Sequence, residues 1–498
     1  SQTRSPIGAQ ALAGTDQSEA VSYNAFGEIV AKAYGGLAGT LSYIYDVAGR
    51  MIADNAVGAT RNFGYNLAGH QVRESHMTWI DSTTGAVETV TRTQTDKLGR
   101  AIAITLPSHT TTAGVTSLVR QKYDRWGNTV QVIDARGYQT DYVYNDHNQL
   151  IRETRPLVWV VGENGAGSWQ RPVNEWYYGA AGRLRGTRDA NGNLRTYEYD
   201  AVGHQVSSTD ALGNVTRMAF DVFGNQRLAQ DALGHITFQD YDLLNRVSTI
   251  GDYLPNGATR QRAVLQSYVL NQHGDRVRVT NALNFTAKYD YDGQQRLLRS
   301  ETAMGVVTNT AYDVQGHKIL ETNALSEVTP SYDDRDTGAL VRLNAMSWQY
   351  DVFGRVIDHN NLSGRDSDYT YDAQSGMLTG ESASGGTNAG YADATKTIKY
   401  TRNGRVREIV ETNGGTYRYE YDAAGNRTLE ESDVTDSYGV RMHTITRSTY
   451  DSNNRLQRVV QDEVDAAGAT TKRIFDLAYD YDANGNRRRV VTQSGYGP

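Results

Sequence analysis

The chain of 498 residues has no cysteine, only seven prolines and no long hydrophobic run. Without cysteine it can form no disulfide, no cysteine-ligated zinc site, no iron–sulfur cluster and no cysteine nucleophile. The longest strongly apolar run spans residues 157–161, far short of the roughly 20 residues that a transmembrane helix needs. The first ten residues lack the apolar segment of a signal peptide. We therefore expect neither a membrane span nor a signal peptide in this chain.

Neither sign of charge dominates, and the apolar share is low. The chain has 50 Lys and Arg against 57 Asp and Glu, with no basic block. Proteins that bind nucleic acid concentrate positive charge on one surface, so no nucleic-acid partner is predicted. With Gly counted in place of Tyr, the apolar share is about 41%, against roughly 45–50% in globular domains. The chain is instead rich in glycine and tyrosine, with 49 Gly and 33 Tyr. We therefore expect an ordered chain with a small hydrophobic core.

An internal repeat covers most of the chain. Its signature is Tyr-Asp-x-x-Gly followed by a polar residue, as in YDVAGR and YDAVGH. The clear copies begin at Tyr45, Tyr123, Tyr199, Phe220, Tyr241, Tyr291, Tyr312, Tyr350, Tyr371, Tyr421, Tyr450 and Tyr481. Looser copies begin at Tyr23, Tyr65, Thr95, Tyr144, Tyr178, Tyr268, Tyr332 and Tyr400. Together about twenty copies cover residues 23–487, and a repeat of this extent governs the fold.

The copies follow a regular spacing. Tyr199, Phe220 and Tyr241 are each 21 residues apart. A second corner of the form Asp-x-x-Gly lies halfway between them, at Asp210 and Asp231. One repeat therefore holds two corners, each followed by a short run of residues.

Each corner predicts a tight turn between two strands. Asp accepts backbone N–H bonds at the first turn position, and Gly three residues later supplies positive φ. Between corners Tyr alternates with polar residues, as at residues 196–199, which is the period of a β-strand. We predict an all-β protein of hairpins closed by type I turns with a bulge. The predicted structural turn residues are Tyr45, Asp46, Gly49, Arg50, Tyr123, Asp124, Gly127, Tyr199, Asp200, Gly203, Phe220, Asp221, Gly224, Tyr312, Asp313, Gly316, Tyr350, Asp351, Gly354, Arg355, Tyr421, Asp422, Gly425, Tyr481, Asp482 and Gly485.

Stacked hairpins make one long antiparallel sheet. About 40 strands at a spacing of about 4.8 Å form a ribbon about 190 Å wide. Open twisted sheets rarely exceed about ten strands without curling. A ribbon curled once closes at a diameter of about 60 Å, which is too wide for side chains to fill. We therefore predict that the sheet curls into a hollow spiral shell or barrel.

A single continuous domain is expected. Residues 1–20 are small and polar, and we expect a poorly ordered lead-in there. Residues 21–498 are assigned to the continuous β-shell. Irregular insertions near residues 155–176, 252–267 and 381–399 interrupt the period. We interpret them as extended hairpins or loops.

With these motifs the chain resembles the RHS/YD-repeat family, whose signature is the Tyr-Asp-x-x-Gly-Arg corner followed by an aliphatic residue. The likeness extends over almost the whole chain. It implies a shell like those of bacterial polymorphic toxins, the cocoon of insecticidal toxin complexes and the barrel of teneurins. Toxin members close the shell with a segment resembling Asp-Pro-x-Gly and a self-cleavage site. Because this sequence contains neither, the resemblance implies no catalytic Asp.

The corner Asp and His residues admit a second interpretation as metal ligands. A ladder of carboxylates could bind calcium, but each corner offers one ligand and a calcium loop needs several. Turn capping is the favoured interpretation. His70, His204, His235 and His317 occupy the slot after the turn Gly or its equivalent. Their spacing matches no metal motif, so no metal site is predicted.

The Arg and Trp residues also have alternative roles. The slot after the turn Gly holds Arg50, Arg183, Arg355 and Arg405. For these arginines we expect a polar ladder with acidic neighbours across strands. Sugar or anion binding by the same residues is the less favoured alternative.

Three tryptophans lie close together in the sequence, at Trp159, Trp169 and Trp176. They predict either a glycan platform or, as the favoured alternative, an apolar plug that packs against the wall.

The predicted function is structural. We find no P-loop and no nucleophile elbow, so we predict no enzyme and no cofactor. The chain is expected to be a shell fragment that shields a polypeptide cargo, such as a C-terminal toxin domain outside this chain. Its partners would be that cargo and capping domains of the same parent protein, secreted or at the cell surface after delivery by a bacterial secretion system. The alternative is an extracellular adhesion or carbohydrate-binding module with glycan partners.

Overall fold

A computed structural model describes most of the chain. It covers residues 18–35, 37–112, 116–256, 259–323, 332–333, 340–341, 345–361, 365–385, 393–436 and 439–492. These residues contain strands and turns and no helix. The predicted lead-in lies almost wholly outside the described residues.

The strands follow one another along the whole described chain. The first are β1 (Glu19–Tyr23), β2 (Ile29–Tyr34), β3 (Leu41–Tyr45), β4 (Met51–Asp54), β5 (Arg61–Tyr65), β6 (Gln71–Asp81), β7 (Gly85–Thr95), β8 (Ala101–Leu106), β9 (Ser117–Tyr123), β10 (Thr129–Ile133), β11 (Gln139–Tyr144), β12 (Leu150–Thr154), β13 (Val158–Val161) and β14 (Gly167–Gln170). The next are β15 (Val173–Tyr178), β16 (Leu184–Arg188), β17 (Leu194–Tyr199), β18 (Gln205–Thr209), β19 (Val215–Phe220), β20 (Gln226–Gln230), β21 (Ile236–Tyr241), β22 (Val247–Asn256), β23 (Thr259–Leu270), β24 (Arg276–Asn281), β25 (Thr286–Tyr291), β26 (Leu297–Glu301), β27 (Val307–Tyr312) and β28 (Lys318–Asn323). The last are β29 (Tyr332–Asp333), β30 (Leu340–Val341), β31 (Ala345–Tyr350), β32 (Val356–Asn360), β33 (Arg365–Tyr371), β34 (Leu378–Gly385), β35 (Ala394–Tyr400), β36 (Val406–Glu411), β37 (Thr416–Tyr421), β38 (Arg427–Thr435), β39 (Arg441–Tyr450), β40 (Leu456–Val464), β41 (Thr470–Tyr481) and β42 (Arg487–Thr492).

Thirty-eight of these strands belong to one antiparallel sheet, and the pairs β13–β14 and β29–β30 stand outside it. Within the sheet each strand pairs with its sequence neighbours, as β17, β18 and β19 do. The register shifts by one residue beside the corner aromatic, for example between Glu198 and Tyr199. This shift is the predicted bulge. The prediction of a long antiparallel sheet of repeated hairpins is confirmed.

The chain divides into two units. The first comprises Ser1–Val173, Trp348–Asn360 and Arg365–Pro498, and the second comprises Asn174–Ser347 and Asn361–Gly364. Within the first unit, strands far apart in sequence meet, because β6 contacts β35 and β13 contacts β41. Within the second unit, the described hairpins follow one another in sequence order.

Both faces of the sheet are only partly buried. Every residue of β27, β28 and β36 is half-buried, whereas a sheet packed on one side would alternate buried with exposed residues. The accessible surface is 29981 Å², against roughly 18,000 Å² for a compact monomer of this mass. The strands are thus held by their ladder bonds and edge contacts more than by a hydrophobic core.

The predicted insertions lie at longer or separate hairpins. Residues 155–176 include the separate hairpin β13–β14. Residues 252–267 lie in the long hairpin of β22 and β23. Residues 381–399 include the ends of β34 and β35, and residues 386–392 lie outside the described residues.

Candidate functional site

The corners are the repeated structural element of the sheet, and Asp221 shows how one is built. Its backbone N–H donates to the Asn225 carbonyl at 2.9 Å, and the Gly224 N–H donates back to the Asp221 carbonyl at 3.1 Å. One carboxylate oxygen accepts the N–H groups of Phe223 and Asn225, both at 2.9 Å. The other accepts the Asn225 side-chain amide at 3.0 Å. One Asp therefore satisfies the open groups of a whole turn.

The predicted corner residues lie in turns of this kind. The eight corners formed by the predicted turn residues join β3 to β4, β9 to β10, β17 to β18, β19 to β20, β27 to β28, β31 to β32, β37 to β38 and β41 to β42. The turn glycines of these corners all have positive φ, at Gly49, Gly127, Gly203, Gly224, Gly316, Gly354, Gly425 and Gly485. Residues other than Gly rarely adopt this backbone conformation.

The corner tyrosine ties its strand to the preceding corner. The Tyr371 hydroxyl donates to the Val356 carbonyl at 2.8 Å, and Val356 is the first residue after the corner of Asp351. The same bond is made by Tyr65, Tyr123, Tyr199, Tyr241, Tyr291, Tyr312, Tyr400, Tyr421, Tyr450 and Tyr481. In each case the acceptor is the carbonyl of the first residue in the strand that follows the preceding corner on the same edge of the sheet. These bonds make each edge a chain of linked corners.

The arginine after the turn Gly has a different role from the one we expected. Arg355 donates to Asp351 of its own corner at 2.7 Å, and not to an acidic residue across the sheet. Its guanidinium also lies 4.3 Å from the centre of the Tyr371 ring and donates to the Gly376 carbonyl at 2.9 Å. The expected cross-strand ladder is therefore wrong at this position. The arginine instead joins two consecutive corners by an ion pair, a cation–π contact and a hydrogen bond.

Asparagine in this slot forms another link. The Asn225 amide donates to the side-chain oxygen of Asn245 at 3.0 Å, and Asn245 takes the Gly position of the next corner with φ of 60°. Two further pairs repeat this bond, Asn128 with Asn148 and Asn426 with Asn454. Asn is the side chain that best tolerates positive φ after Gly. The pairing of Asn in the slot with Asn in the next corner is present in the sequence, but we did not recognise it there.

The side-chain bonds of the corners favour ionised carboxylates. Hydrogen bonds from Arg50 and Arg246 lower the pKa of Asp46 and Asp242 below its ordinary value. Asn225 lowers the pKa of Asp221 in the same way. The corners are thus built for an ionised Asp, which accepts stronger hydrogen bonds than a neutral acid.

Corners from distant parts of the chain meet in the first unit, and we call this contact the seam. Arg136 stands at the third position of a corner after β10, and its guanidinium reaches the Asp422 carboxylate at 3.2 Å and the Asp451 carbonyl. Burial opposes ionisation of Asp422, but hydrogen bonds from Asn426 and the charge of Arg136 outweigh it, so the pKa of Asp422 is lowered. Sequence patterns did not distinguish Arg136 from other turn residues.

Other contacts extend the seam. Arg407 donates to the Asp81 carboxylate at 2.6 Å, and Arg402 donates to the Thr111 carbonyl at 2.9 Å. Val352, whose equivalents in other corners are mostly exposed, is almost fully buried. A Cβ at Gly39 would lie 2.9 Å from a Val352 methyl group, so a glycine is needed there. The seam therefore combines ion pairs with close packing of turns.

The hairpin β13–β14 contains two of the three tryptophans considered in the sequence. Trp159 and Trp169 face each other across the hairpin, with ring centres 5.8 Å apart and an edge-on geometry. Trp176 lies on β15 and is not part of this pair. The pair lines a cleft of about 370 Å³ together with residues of β39, β40 and β41.

The carboxylates and imidazoles of the described residues form no group of three or more that could hold a metal ion. His204 and His317 each lie 2.9 Å from the Asp of their own corner. Among the described residues no helix is long and apolar enough to cross a membrane.

The sequence profile of the RHS repeat matches residues 123–157, 178–215, 199–236 and 400–439. The chain carries RHS repeats. The resemblance noted from the Tyr-Asp corners is thereby confirmed. No curated protein matches the chain.

Several solved structures are similar to this RHS-repeat chain. TcdB2-TccC3 matches 96% of this chain and 30% of that chain, at 13% identity and a TM-score of 0.45. The Photorhabdus luminescens Tc holotoxin pore with mutated TccC3 matches 91% of this chain and 27% of that one, at 13% identity and a TM-score of 0.44. TcdB2-TccC3 without its hypervariable C-terminal region matches 95% and 36%, at 11% identity and a TM-score of 0.45. The RHS-repeat chain thus spans only 27% to 36% of these solved chains.

Proposed function

We propose that this chain is a non-catalytic wall segment that encloses and shields a polypeptide. The linked corners carry the proposal, because Tyr, Asp and Arg join successive hairpins along the sheet edge and the strands depend less on a hydrophobic core. A wall of this kind can expose both faces to water, and the half-buried strands fit that requirement. The polypeptide inside would be a toxin domain or another segment of the parent protein, with capping domains as further partners.

Secretion or display at the cell surface is part of this proposal. The chain has no cysteine and therefore no disulfides. Outside the cell, its sheet would be stabilised by the linked corners and by the ion pairs between their side chains. The domain plan, a continuous shell from residue 21 with hairpin insertions, also belongs to the proposal.

A protease-protection experiment tests the enclosing role. An unfolded reporter polypeptide is fused after Pro498, and its cleavage rate is compared with that of the same reporter added as a separate chain. We expect slower cleavage of the fused reporter. The control carries a long flexible linker before the reporter, which should restore fast cleavage by placing it outside the wall. Equal cleavage rates in all three samples would contradict enclosure.

The non-catalytic part is tested separately. The purified chain should show no hydrolase turnover and no toxicity when expressed alone. Metal-dependent hydrolysis that survives repeated purification and is lost in Asp221→Asn would contradict it.

A further inference from the structure

Two cations on β9 have no partner within the described part of the chain. Arg120 and Lys122 are alternate residues of this strand, so their side chains share one face of the sheet. Both side chains are exposed, and neither forms an ion pair or a hydrogen bond among the described residues. Since the whole chain carries a net charge of -7, this pair is a local site of positive charge.

The two cations line a cavity of about 470 Å³. Most of its lining comes from β8, β9 and β10, which are neighbours in the sheet. Ile102 of β8 and Ile133 of β10 lie on either side of the cations and supply apolar surface. Ligand sites commonly have volumes of about 300–1,000 Å³ and combine apolar walls with a few polar groups. The cavity therefore fits a negative charge carried on an aliphatic stem.

Two carboxylates near the cavity already have partners of their own. Asp96 lines the cavity and accepts a hydrogen bond from Arg100 of its own corner at 2.7 Å. Asp141 stands opposite Gln131, another residue of the lining, and accepts a hydrogen bond from Arg171 at 2.7 Å. The positive charge of the two β9 cations is therefore left for a group from outside the chain.

A third cation extends the positive charge on the same face. Ala103 of β8 is paired with Arg120, and Thr105 of β8 is paired with Arg92 of β7. Because Ala103 and Thr105 are alternate residues of one strand, all four side chains lie on one face. Arg92 is also exposed and forms no ion pair among the described residues. Small side chains on β8 thus separate two rows of cations that lie about 10 Å apart.

We propose that this face of β7–β10 binds an extended acidic segment of a polypeptide, with Glu at alternate positions. Alternate residues of an extended chain lie about 6.6–6.8 Å apart, which is also the spacing of Arg120 and Lys122 along β9. Two Glu carboxylates of the partner therefore meet the two cations together. The Glu methylene groups pack against Ile102 and Ile133.

The aromatic residue of the lining favours a polypeptide over a nucleic acid. Bases bind by stacking on open aromatic rings. Tyr123 is half-buried, its hydroxyl donates to the Ala101 carbonyl at 2.9 Å, and the Arg100 guanidinium lies 4.6 Å from the centre of its ring. This ring is engaged within the protein. The inference rests on the proposed function only for the presence of a polypeptide, and it adds the chemistry of the segment that the wall binds.

The test measures binding of fluorescein-labelled decapeptides to the full chain by fluorescence anisotropy. One peptide alternates Glu with Thr, and the matched neutral peptide alternates Gln with Thr. At an ionic strength of about 0.01 M, where the Debye length is about 30 Å, we expect the Glu peptide to bind with a Kd of about 1 mM or tighter. The Gln peptide should bind at least about tenfold more weakly.

A double variant assigns the binding to this face. Arg120→Gln combined with Lys122→Gln should weaken binding of the Glu peptide at least about threefold, because exposed ion pairs each contribute modestly. The matched control combines Arg217→Gln with Arg278→Gln. It removes the same charge from exposed residues of β19 and β24 that also have no ion pair among the described residues. Circular dichroism verifies that both variants are folded.

Four results would overturn the proposal. The Glu peptide binds no more tightly than the Gln peptide, or the folded double variant keeps full affinity, or the control variant loses as much affinity. Tighter binding of an oligothymidylate of equal charge would assign the face to nucleic acid instead. Peptide binding is measured with a separate chain and needs no enclosure, so it can succeed where protease protection fails, and the reverse.

Discussion

Each position of the Tyr-Asp-x-x-Gly-Arg corner makes its own contact. Asp closes the turn, Gly supplies the positive φ, Tyr bonds back to the preceding corner, and Arg bonds forward to the next one. Where Arg183 fills the slot, a Cβ at Gly203 of the next corner would lie 2.8 Å from its guanidinium. Glycine at this position is therefore favoured by the backbone angle, and a Cβ there would also displace the arginine side chain that lies over it.

Replacement of a corner glycine should show these two effects separately. Gly203→Ala and Gly425→Ala introduce a Cβ at positive φ and against Arg183 or Arg405. We expect each to destabilise the chain by more than about 1 kcal/mol. Gly192→Ala has the same backbone strain at φ of 89°, but nothing lies within 4 Å of its Cβ. The Gly192→Ala variant should therefore lose less stability than the other two, as measured by the urea midpoint of unfolding. Wild-type midpoints for all three variants would refute the turn assignment.

The corner carboxylates predict a loss of stability in acid. Because hydrogen bonds hold the pKa of Asp46, Asp221 and Asp242 below its ordinary value, their contribution is present above the unfolded pKa of about 3.9. It is lost as the pH falls through the lower folded value. Urea midpoints should therefore change little from pH 7 to pH 5 and drop from pH 4 to pH 2.

Asp242→Asn isolates one corner of this effect. Asn already begins corners at Asn66 and Asn145, where it accepts the same backbone N–H groups. The variant should keep the turn, lose the ion pair with Arg246 and weaken the acid dependence. An unchanged acid dependence would show that the carboxylate charge plays no part.

At the scale of strands, the corner contacts join successive hairpins along one edge of the sheet. The Asn225–Asn245 bond links the corner after β19 to the corner after β21. Arginine fills the slot only where the described next corner has Gly, as for Arg50 and Gly69 or Arg455 and Gly485. The long arginine needs the space that glycine leaves, whereas three of the slot asparagines donate to the side-chain oxygen of an asparagine in the next corner.

A double-mutant cycle tests the asparagine pair. Asn225→Ala and Asn245→Gly each remove one partner, and we expect a coupling energy of about 0.5–1.5 kcal/mol. Asn225→Ala combined with Asn214→Ala is the control. Asn214 caps a different corner through Asp210, so these two effects should add. A coupling energy near zero for Asn225 and Asn245 would show that their hydrogen bond does not stabilise the protein.

At the scale of the molecule, the seam closes the first unit. Arg136→Ala would leave the half-buried Asp422 carboxylate without its charged partner and remove the bond to the Asp451 carbonyl. We expect a loss of about 1–3 kcal/mol and faster proteolysis between β10 and β11. Arg125→Ala is the control, because Arg125 is exposed and its guanidinium lies over the neighbouring Trp126 ring. Equal proteolysis of both variants would show that the seam does not hold this region.

The enclosing wall predicts a large radius of gyration. A compact globule of this length would have about 23 Å, whereas a curled single-layer sheet about 60 Å across would have about 30 Å. Solution scattering should give a value near 30 Å with low density at the centre. A value near 23 Å with the profile of a solid sphere would contradict the wall.

The sequence by itself determined the strands, the corners and their repetition. Asp221, Gly224 and Asn225 lie within five residues of one another, so their interactions depend on local geometry that any copy of the motif reproduces. The hairpin order follows because each strand pairs with its sequence neighbours. Even the tyrosine bond was implicit, because a fixed period places each tyrosine beside the same point of the preceding corner.

Only the tertiary structure decided the seam and the cleft. Arg136 and Asp422 are separated by 286 residues, and their meeting depends on the twist added between every two neighbouring strands. Small differences in the twist add up over the many strands between these two residues. No repeating sequence pattern encodes the total, so the sequence does not predict the contact. The cleft beside β13–β14 likewise required the distant strand β41. Local chemistry therefore specifies the repeated unit, whereas the summed geometry of many units specifies which distant residues touch.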